Sequence, residues 1–207
     1  MEHEERQILR KMGPQEVAAV YEGHMRRDFP ASELKPLSSI RRMQAEGIYD
    51  CLGFYEGDVL VAYAFFVADR GRGYLLLDYL AVCGPYRGGG YGSRCLEKIK
   101  GFYKEENGIL LECESRKSAK GEAELTERER RIRFYLRNGC VETGVMSLLF
   151  GVEFEILYLA KKNDTGPTEE GFRKTDGAGQ SNVAGELERL YRKMLPENIY
   201  EKQVRIW

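Results

Sequence analysis

Hydrophobic and polar residues alternate along this 207-residue chain in a pattern that predicts short strands and amphipathic helices. Residues 48–55 and 59–68 are rich in aromatic and aliphatic side chains, and Glu56-Gly57-Asp58 separates them, which predicts a β-hairpin. Residues 74–82 form another apolar run, too short and too rich in β-formers for a buried helix. We therefore expect another strand there, covered on both faces.

The rest of the chain follows the same two periodicities. Helices are predicted at 14–28, 36–46, 126–138 and 183–195, and one more follows Gly92. Further strands are predicted at 7–12, 109–114, 141–150, 152–160 and 203–207. Thr126-x-x-Glu129 is a capping box that predicts the start of one helix, and Asn107-Gly108 predicts a left-handed stop to another. Up to residue 160 the order β-α-α-β-β-β-α-β-α-β-β indicates an α/β (α+β) fold with a mostly antiparallel central sheet.

A change in composition divides the chain. Residues 1–160 are expected to form one domain, and residues 161–182 hold almost nothing apolar, which predicts a flexible linker or surface loop. Residues 183–207 form a helix and strand extension. Its leucine, tyrosine and tryptophan side chains should be buried on the core domain or on another subunit.

Composition excludes several classes of function. The chain is 43% hydrophobic and 31% charged with a net charge of −1, so a strongly electrostatic nucleic-acid partner is not implied. No apolar run is long enough to span a membrane, and the charged start does not resemble a signal peptide. Five cysteines without CxxC spacing indicate reduced, buried thiols in a cytoplasmic protein. With two histidines only, no zinc site is expected.

A glycine-rich turn follows the strand at 74–82 and precedes a helix. Bare amides in such a turn and the positive end of the helix converge on one spot, which favours a phosphate or pyrophosphate. A P-loop would need Gly-Lys-Ser/Thr, but Arg94 follows Gly92-Ser93. A dinucleotide fingerprint would need a glycine where Ser93 stands.

The spacing Arg87-x-x-Gly90-x-Gly92, preceded by Leu80-Ala81-Val82, resembles the signature of the GCN5-related N-acetyltransferase (GNAT) superfamily. The resemblance implies the GNAT fold, with a mixed, mostly antiparallel sheet, a splay between the fourth and fifth strands, and helices on both faces. It also implies acetyl-CoA as cofactor, with its pantetheine amides paired to the backbone of Leu80, Ala81 and Val82. Arg87 would add charge or cap the turn. The pyrophosphate would be held by the amides of Gly88, Gly89, Gly90, Tyr91, Gly92 and Ser93.

A second family segment lies at 131–140, where Tyr135 matches the tyrosine that faces the sulfur of acetyl-CoA. The resemblance implies that Tyr135 protonates the leaving thiolate, and a phenol of pKa about 10 suits that task. The alternative is a half-buried aromatic at a helix–sheet seam. Three positions depart from the family pattern: Arg128 replaces Asn, Arg131 replaces Ala and Cys140 replaces Phe. The charged run 127–133 predicts a solvated helix face, with a contact from Arg128 or Arg131 to the CoA phosphates as the alternative.

The acceptor amine must lose a proton before it attacks, because an amine of pKa about 10.4 is almost entirely charged at pH 7. Asp78 is the candidate base, as an acid inside an apolar strand on the face of Leu80 and Val82. A structural carboxylate paired with an arginine or a backbone amide is the equal alternative. Glu112 and Glu114 on the neighbouring strand, or water, are reserves.

These residues together predict a GNAT-type N-acetyltransferase. It would move an acetyl group from acetyl-CoA to a primary amine of a small molecule or peptide, by direct attack without a covalent enzyme intermediate. We expect no nucleic-acid or membrane partner and leave a homodimer open. The alternatives are a catalytically degenerate acyl-CoA-binding or sensor module of the same fold, and a nucleotide-binding protein of another type.

Overall fold

The computed structural model describes residues 7–31, 33–69, 73–159 and 178–207. Its strands are β1 (Gln7–Lys11), β2 (Tyr49–Glu56), β3 (Val59–Asp69), β4 (Tyr74–Val82), β5 (Gly108–Glu114), β6 (Cys140–Leu149), β7 (Val152–Leu159) and β8 (Val204–Ile206). Its α-helices are α1 (Pro14–Val20), α2 (Arg26–Asp28), α3 (Leu37–Ala45), α4 (Tyr91–Phe102), α5 (Glu122–Arg137), α6 (Ala178–Met194) and α7 (Glu197–Gln203). The predicted α/β class and the predicted order of elements up to β7 are confirmed.

The chain divides into two compact units. Unit 1 comprises Met1–Ala68 and Leu77–Phe102, and unit 2 comprises Asp69–Leu76 and Tyr103–Trp207. Neighbouring strands follow the order β1-β2-β3-β4 in unit 1 and β4-β5-β7-β6-β8 in unit 2, so β4 contributes residues to both. The pairs β1–β2, β2–β3, β5–β7, β6–β7 and β6–β8 are antiparallel, as predicted for most of the sheet. The splay between β4 and β5 stays a prediction.

Strand β3 forms the centre of unit 1. Every side chain from Val61 to Val67 has no exposed surface, which explains why this strand reads as a continuous apolar run rather than an alternating one. The predicted hairpin with β2 is closed by Gly57, whose φ of 59° is the left-handed conformation that glycine adopts without a steric penalty.

A π-helical turn, Tyr21–Met25, separates α1 from α2. The sequence predicted one continuous helix over 14–28 and gave no sign of this turn. A π turn adds a residue to the helical repeat and shifts every following side chain around the axis, and such turns are frequent at functional sites. Here it sets the position of Asp28, the last residue of α2.

In unit 2, β6 and β7 form a hairpin whose two turn residues both have positive φ. Phe150 has φ 49° and Gly151 has φ 79°. A two-residue turn of this kind matches the twist of the strands that it joins. The two strands predicted on either side of Gly151 are confirmed, and the structure pairs them as a hairpin.

Helix α5 begins at Glu122, so the predicted start at Thr126 is wrong. Gly121 is the N-cap, and the Glu124 carboxylate accepts a hydrogen bond from the Lys120 amide, with 2.7 Å between Oε2 and N. Thr126 lies inside the helix, where its hydroxyl donates to the Glu122 carbonyl. The helix thus begins one turn ahead of the predicted capping box, with the acidic Glu122 and Glu124 in its first turn.

Gly108 is the first residue of β5, so its predicted role as a left-handed helix stop is wrong. A Cβ built on Gly108 would lie 2.2 Å from Cε2 of Tyr158. The Tyr158 hydroxyl donates to the Asn107 carbonyl, which holds the ring against the bare backbone. A close packing contact, and not a turn, requires glycine here.

Of the predicted linker, residues 161–177 lie outside the described residues, and residues 178–182 belong to α6. The following part of α6 is buried as predicted, through Val183, Leu187, Leu190, Tyr191 and Met194. Trp207, in contrast, is 57% exposed, so its predicted burial is not confirmed on this chain.

Helix α7 was not predicted. Among the described helices, none has the length and apolar character needed to cross a membrane.

Candidate active site

The glycine-rich segment lies between β4 and α4 in unit 1. Gly88 and Gly90 have φ of 80° and 76°, a left-handed conformation that side chains with a Cβ rarely adopt. Helix α4 then starts at Tyr91, so the amides of Tyr91, Gly92 and Ser93 fall in its first turn, where no intrahelical acceptor exists. These amides and the positive end of the helix form a site for an anion.

Arg94 adds a positive charge to the same turn. Its guanidinium donates to the Gly89 carbonyl, 3.0 Å away, and stacks on the Tyr91 ring at 4.2 Å from the centroid. The first turn of α4 contains no acidic side chain. A cation at a helix N-terminus is electrostatically unfavourable unless an anion is nearby, so its placement here favours an anionic ligand.

Arg87 joins the segment to two other parts of unit 1. Its Nε lies 3.0 Å from the Val82 carbonyl oxygen, and its Nη2 lies 2.6 Å from Oδ1 of Asp28. Tyr63 donates to the other carboxylate oxygen of Asp28 over 2.8 Å, and burial raises the pKa of this phenol. Arg87 thus bonds to the backbone at the end of β4 and pairs with Asp28, and its two expected roles, in capping the turn and in adding charge, stay predictions.

The predicted pantetheine-binding residues Leu80, Ala81 and Val82 form the end of β4, where all three are half-buried. The amide of the next residue, Cys83, donates to the Val61 carbonyl of β3 over 2.9 Å. The site residues of β4 and of the glycine-rich segment therefore lie in one continuous stretch of unit 1, anchored on the buried strand β3.

Asp78, the predicted base, is ion-paired. Its Oδ1 lies 2.7 Å from Nζ of Lys35, and its Oδ2 accepts a hydrogen bond from the Tyr49 hydroxyl. The pKa of the Tyr49 phenol is raised well above its usual value by burial and by the charge of Asp78. The predicted structural pairing of Asp78 thus exists, although with a lysine and a tyrosine and not with an arginine.

All five cysteines are buried thiols outside any disulfide, as predicted. Burial raises the pKa of the Cys83 thiol to about 11 and the pKa values of Cys95 and Cys113 to about 12. Thiols with such pKa values hold almost no thiolate at neutral pH, so they are poor nucleophiles.

The sequence of residues 17–139 matches the family model for acetyltransferases of the GNAT family. The chain belongs to the GNAT acetyltransferase family. A comparison with curated proteins finds no match for this GNAT protein.

Solved structures share its fold. A protein described as a GNAT-family acetyltransferase from Bacteroides thetaiotaomicron is 19% identical with a TM-score of 0.60, over 83% of this chain and 97% of that one. A spermidine N-acetyltransferase chimera from Vibrio cholerae is 9% identical with a TM-score of 0.57, over 82% and 99%. An acetyltransferase from Salmonella typhimurium, solved with its cofactor acetyl-CoA, is 18% identical with a TM-score of 0.52, over 79% and 98%. At these identities the likeness concerns the fold, and it confirms the predicted GNAT fold.

In this GNAT protein the predicted acid, Tyr135, lies on α5 in unit 2, whereas Asp78 and the glycine-rich segment lie in unit 1. Tyr135 is half-buried, and its ring meets Phe134 edge-on at 5.2 Å between centroids. Its role as an acid and its role as a packing residue both stay predictions.

Arg128, at the position of the family asparagine, is only 7% exposed. It donates to the carbonyl of Ser115, to the hydroxyl of Ser118 and to the carboxylates of Glu114 and Glu124. Arg131 shares Glu114, at 2.9 Å from Nη1 to Oε2. The run 127–133 carries the predicted ion pairs at helical spacing. Arg128 is the exception to the predicted solvated face, because it is buried and binds residues at the end of β5.

The two reserve bases are engaged inside unit 2. Glu114 is held by the two arginines, and Glu112 accepts a hydrogen bond from the buried Tyr191 of α6. The Tyr191 hydroxyl also lies 3.0 Å from that of Ser147. A carboxylate occupied in this way has less freedom to accept a substrate proton.

Sequence reasoning missed Lys35, Tyr49, Asp28 and Arg94 as parts of the site. The first three come from elements that are distant in the sequence and carry no motif. Arg94 could have been found, because a cation in the first turn after a glycine-rich segment is itself a signal for an anion.

Proposed function

We propose that this GNAT protein is an acetyl-CoA-dependent N-acetyltransferase whose acceptor is a primary amine of a small molecule or peptide. The observation that supports it most is the site at the start of α4. There, left-handed Gly88 and Gly90, the amides of the first turn and Arg94 provide the donors and the positive charge that a pyrophosphate requires.

The glycine-rich turn leaves open space beside its backbone at Gly88. A Cβ on Gly88 would meet nothing within 4 Å, so no packing contact within the protein requires glycine at this position. The positive φ requires it, and the missing side chain leaves open space beside the backbone. Bound here, acetyl-CoA would supply an activated acyl group. The amides of Gly88 to Ser93 would hold the pyrophosphate, and the backbone of Leu80, Ala81 and Val82 would orient the pantetheine.

Two side chains of the protein would carry out the two proton transfers of the reaction. Asp78 would receive the proton of the acceptor ammonium, directly or through water, once Lys35 has moved away. Tyr135 would donate a proton to the departing thiolate. Buried cysteines with raised pKa values favour direct attack by the amine over an acyl-cysteine intermediate.

Calorimetry with acetyl-CoA tests the cofactor site. The wild type is expected to bind, and a variant with both Gly90→Val and Gly92→Val is expected to lose binding, because a β-branched residue cannot adopt the φ of 76° at Gly90. Gly101→Val, on an exposed position of the same helix with nothing within 4 Å, is the control and should bind normally. No binding by the folded wild type would overturn the proposal.

A panel of primary amines and peptides with free N-termini, followed by mass spectrometry, tests the reaction. Asp78→Asn should lower turnover and flatten the alkaline rise of the pH–rate profile. An unchanged profile would remove Asp78 as the base.

Arg128 favours one second candidate, an acyl-CoA-binding module without transferase activity. Where the family carries an asparagine, this protein has a buried arginine engaged with four neighbouring residues. Tight binding of acetyl-CoA with no acetylation of any amine in the panel would select this alternative.

A further inference from the structure

Two side chains of β4 lie against the ammonium group of Lys35, and a third side chain, from β2, supports one of them. Nζ of Lys35 lies 2.7 Å from Oδ1 of Asp78 and 5.3 Å from the centroid of the Tyr79 ring. Tyr49 donates its hydroxyl to the other oxygen of Asp78, which fixes the carboxylate. We call Tyr49, Asp78 and Tyr79 the ammonium cage. A carboxylate beside an aromatic face is the combination of groups that binds a cation with a short alkyl chain.

The cage is rigid and depends on a cation. Tyr49 and Tyr79 are 2% and 4% exposed, and the Phe65 ring meets each of them edge-on. The Asp78 side chain is 7% exposed. A carboxylate this deeply buried is costly unless hydrogen bonds and a positive charge compensate it, and the Lys35 ammonium provides that charge here.

The cation comes from a connection and not from the sheet. Lys35 lies between α2 and α3, and this connection is attached to the cage by two hydrogen bonds at one atom. The Lys35 amide donates to the Tyr79 hydroxyl over 2.9 Å, and that hydroxyl donates to the Glu33 carbonyl over 2.7 Å. These backbone contacts do not involve the Lys35 side chain, so Nζ can leave the cage without releasing the connection.

The cage also lies close along β4 to the proposed pantetheine-binding residues. Asp78 and Tyr79 directly precede Leu80, Ala81 and Val82 on the same strand. An ammonium held by Asp78 and Tyr79 is therefore within a few residues of the backbone that is proposed to orient the pantetheine.

We infer that the ammonium cage is the acceptor site and that Lys35 occupies it as an internal substitute for the acceptor. The side chain of Lys35 has the chemistry of a primary alkylammonium, so the acceptor class is a primary amine on an unbranched alkyl chain, which displaces Nζ from Asp78. This inference rests on the proposed function and specifies its substrate class.

Rescue of Lys35→Ala by a small amine added in solution tests the cage. The substitution removes Cγ, Cδ, Cε and Nζ, which n-propylammonium replaces atom for atom. We expect the variant to unfold at a lower temperature than the wild type and n-propylammonium to raise its Tm by about 3 °C at ten times Kd, since a ligand that binds only the folded state stabilises it. Neutral n-propanol should have no such effect, and the wild type should respond little.

Lys11→Ala is the matched control. Lys11 and Asp50 form another lysine–aspartate pair of unit 1, at 2.6 Å, and Asp50 is as buried as Asp78 with an exposed side-chain fraction of 8%. A general effect of ammonium salts would raise the Tm of both alanine variants equally and would overturn the inference. Lys35→Met, which keeps the alkyl chain and fills the cage, should not respond to n-propylammonium. If Lys35→Ala does not fold, the KM for an alkylamine in acetyl transfer is measured for Lys35→Met and for the wild type. Equal KM values overturn the inference.

The binding and activity results separate the two proposals. Recovery of Lys35→Ala by n-propylammonium without any acetylation of amines would support the cage and contradict the proposed transferase. Acetylation of alkylamines by the wild type, with the same KM in Lys35→Ala and no recovery of Tm, would support the transferase and overturn the cage. If both hold, Lys35→Ala should have a KM for alkylamines several-fold below that of the wild type.

Discussion

Arg87 and Asp28 form an ion pair, with 2.6 Å between Nη2 and Oδ1, that attaches the glycine-rich segment to the end of α2. The guanidinium also holds the Val82 carbonyl at the end of β4. Asp28 reaches this position after the π-helical turn Tyr21–Met25 and is further held by Tyr63. One residue of the family signature thus connects the proposed pyrophosphate site to the N-terminal helices.

Arg87→Met should destabilise the protein by about 1–3 kcal/mol, because Asp28 keeps its buried carboxylate and loses its charged partner. Asp28→Asn combined with Arg87→Met should be more stable than Arg87→Met alone, since no unpaired charge remains. Urea unfolding of the wild type, both single variants and the double variant measures the coupling. Additive losses would show that the pair contributes no coupling energy.

Gly88→Ala should lower the free energy of unfolding by about 1 kcal/mol, because alanine at a φ of 80° is strained even though no atom lies within 4 Å of its Cβ. Gly84→Ala is the control, at a position with equal space and without a positive φ, and should change stability by less than about 0.5 kcal/mol. Chemical unfolding measures both. Equal effects would contradict a conformational requirement for glycine at Gly88.

Gly108→Ala should be strongly destabilising, by about 2–3 kcal/mol, because its Cβ would lie 2.2 Å from the Tyr158 ring. Gly101→Ala should be neutral or stabilising, since Gly101 lies within α4 with nothing near its Cβ and alanine is the better helix former. Thermal unfolding compares the two. A stable Gly108→Ala variant would mean that the Tyr158 ring moves aside at little cost.

Glu155→Gln should flatten the loss of stability in acid. Burial raises the pKa of Glu155, but the hydrogen bonds and charge of Arg116 outweigh this effect, so the pKa in the folded protein lies below its usual value of 4.5. A depressed pKa contributes stability that is present above the unfolded-state pKa and is lost as pH falls through the folded-state pKa. The wild type should therefore lose stability below about pH 4.5 more steeply than the variant, as urea unfolding from pH 7 to pH 3 would measure.

Glu142→Gln serves as the control for that series. Glu142 binds the same guanidinium at 2.5 Å, but its side chain is 33% exposed, against 14% for Glu155. More of its interaction is screened by water, so its replacement should lower the free energy of unfolding at pH 7 by less than Glu155→Gln does. A larger effect at Glu142 than at Glu155 would contradict the assignment.

Local patterns in the sequence were sufficient for most of the elements. Alternation and apolar runs predicted the strands, Glu56-Gly57-Asp58 predicted the β2–β3 hairpin, and Gly151 predicted the break between β6 and β7. The glycine-rich segment and the family signature were also local, so the candidate cofactor site was predicted residue by residue. Two local signals failed: the Tyr158 ring packs against Gly108, and α5 begins at Glu122, one turn ahead of Thr126.

The sequence by itself determined the fold class, the family and the segment expected to bind acetyl-CoA, because each depends on residues adjacent along the chain. Only the tertiary structure decided the surroundings of Asp78 and Arg128. Lys35 lies 43 residues from Asp78 and Tyr49 lies 29 residues from it, and no local spacing relates them. An ion pair in a protein forms between groups that folding brings within a few ångströms, so the partners of a buried charge become known only once the strands and their connections are in place.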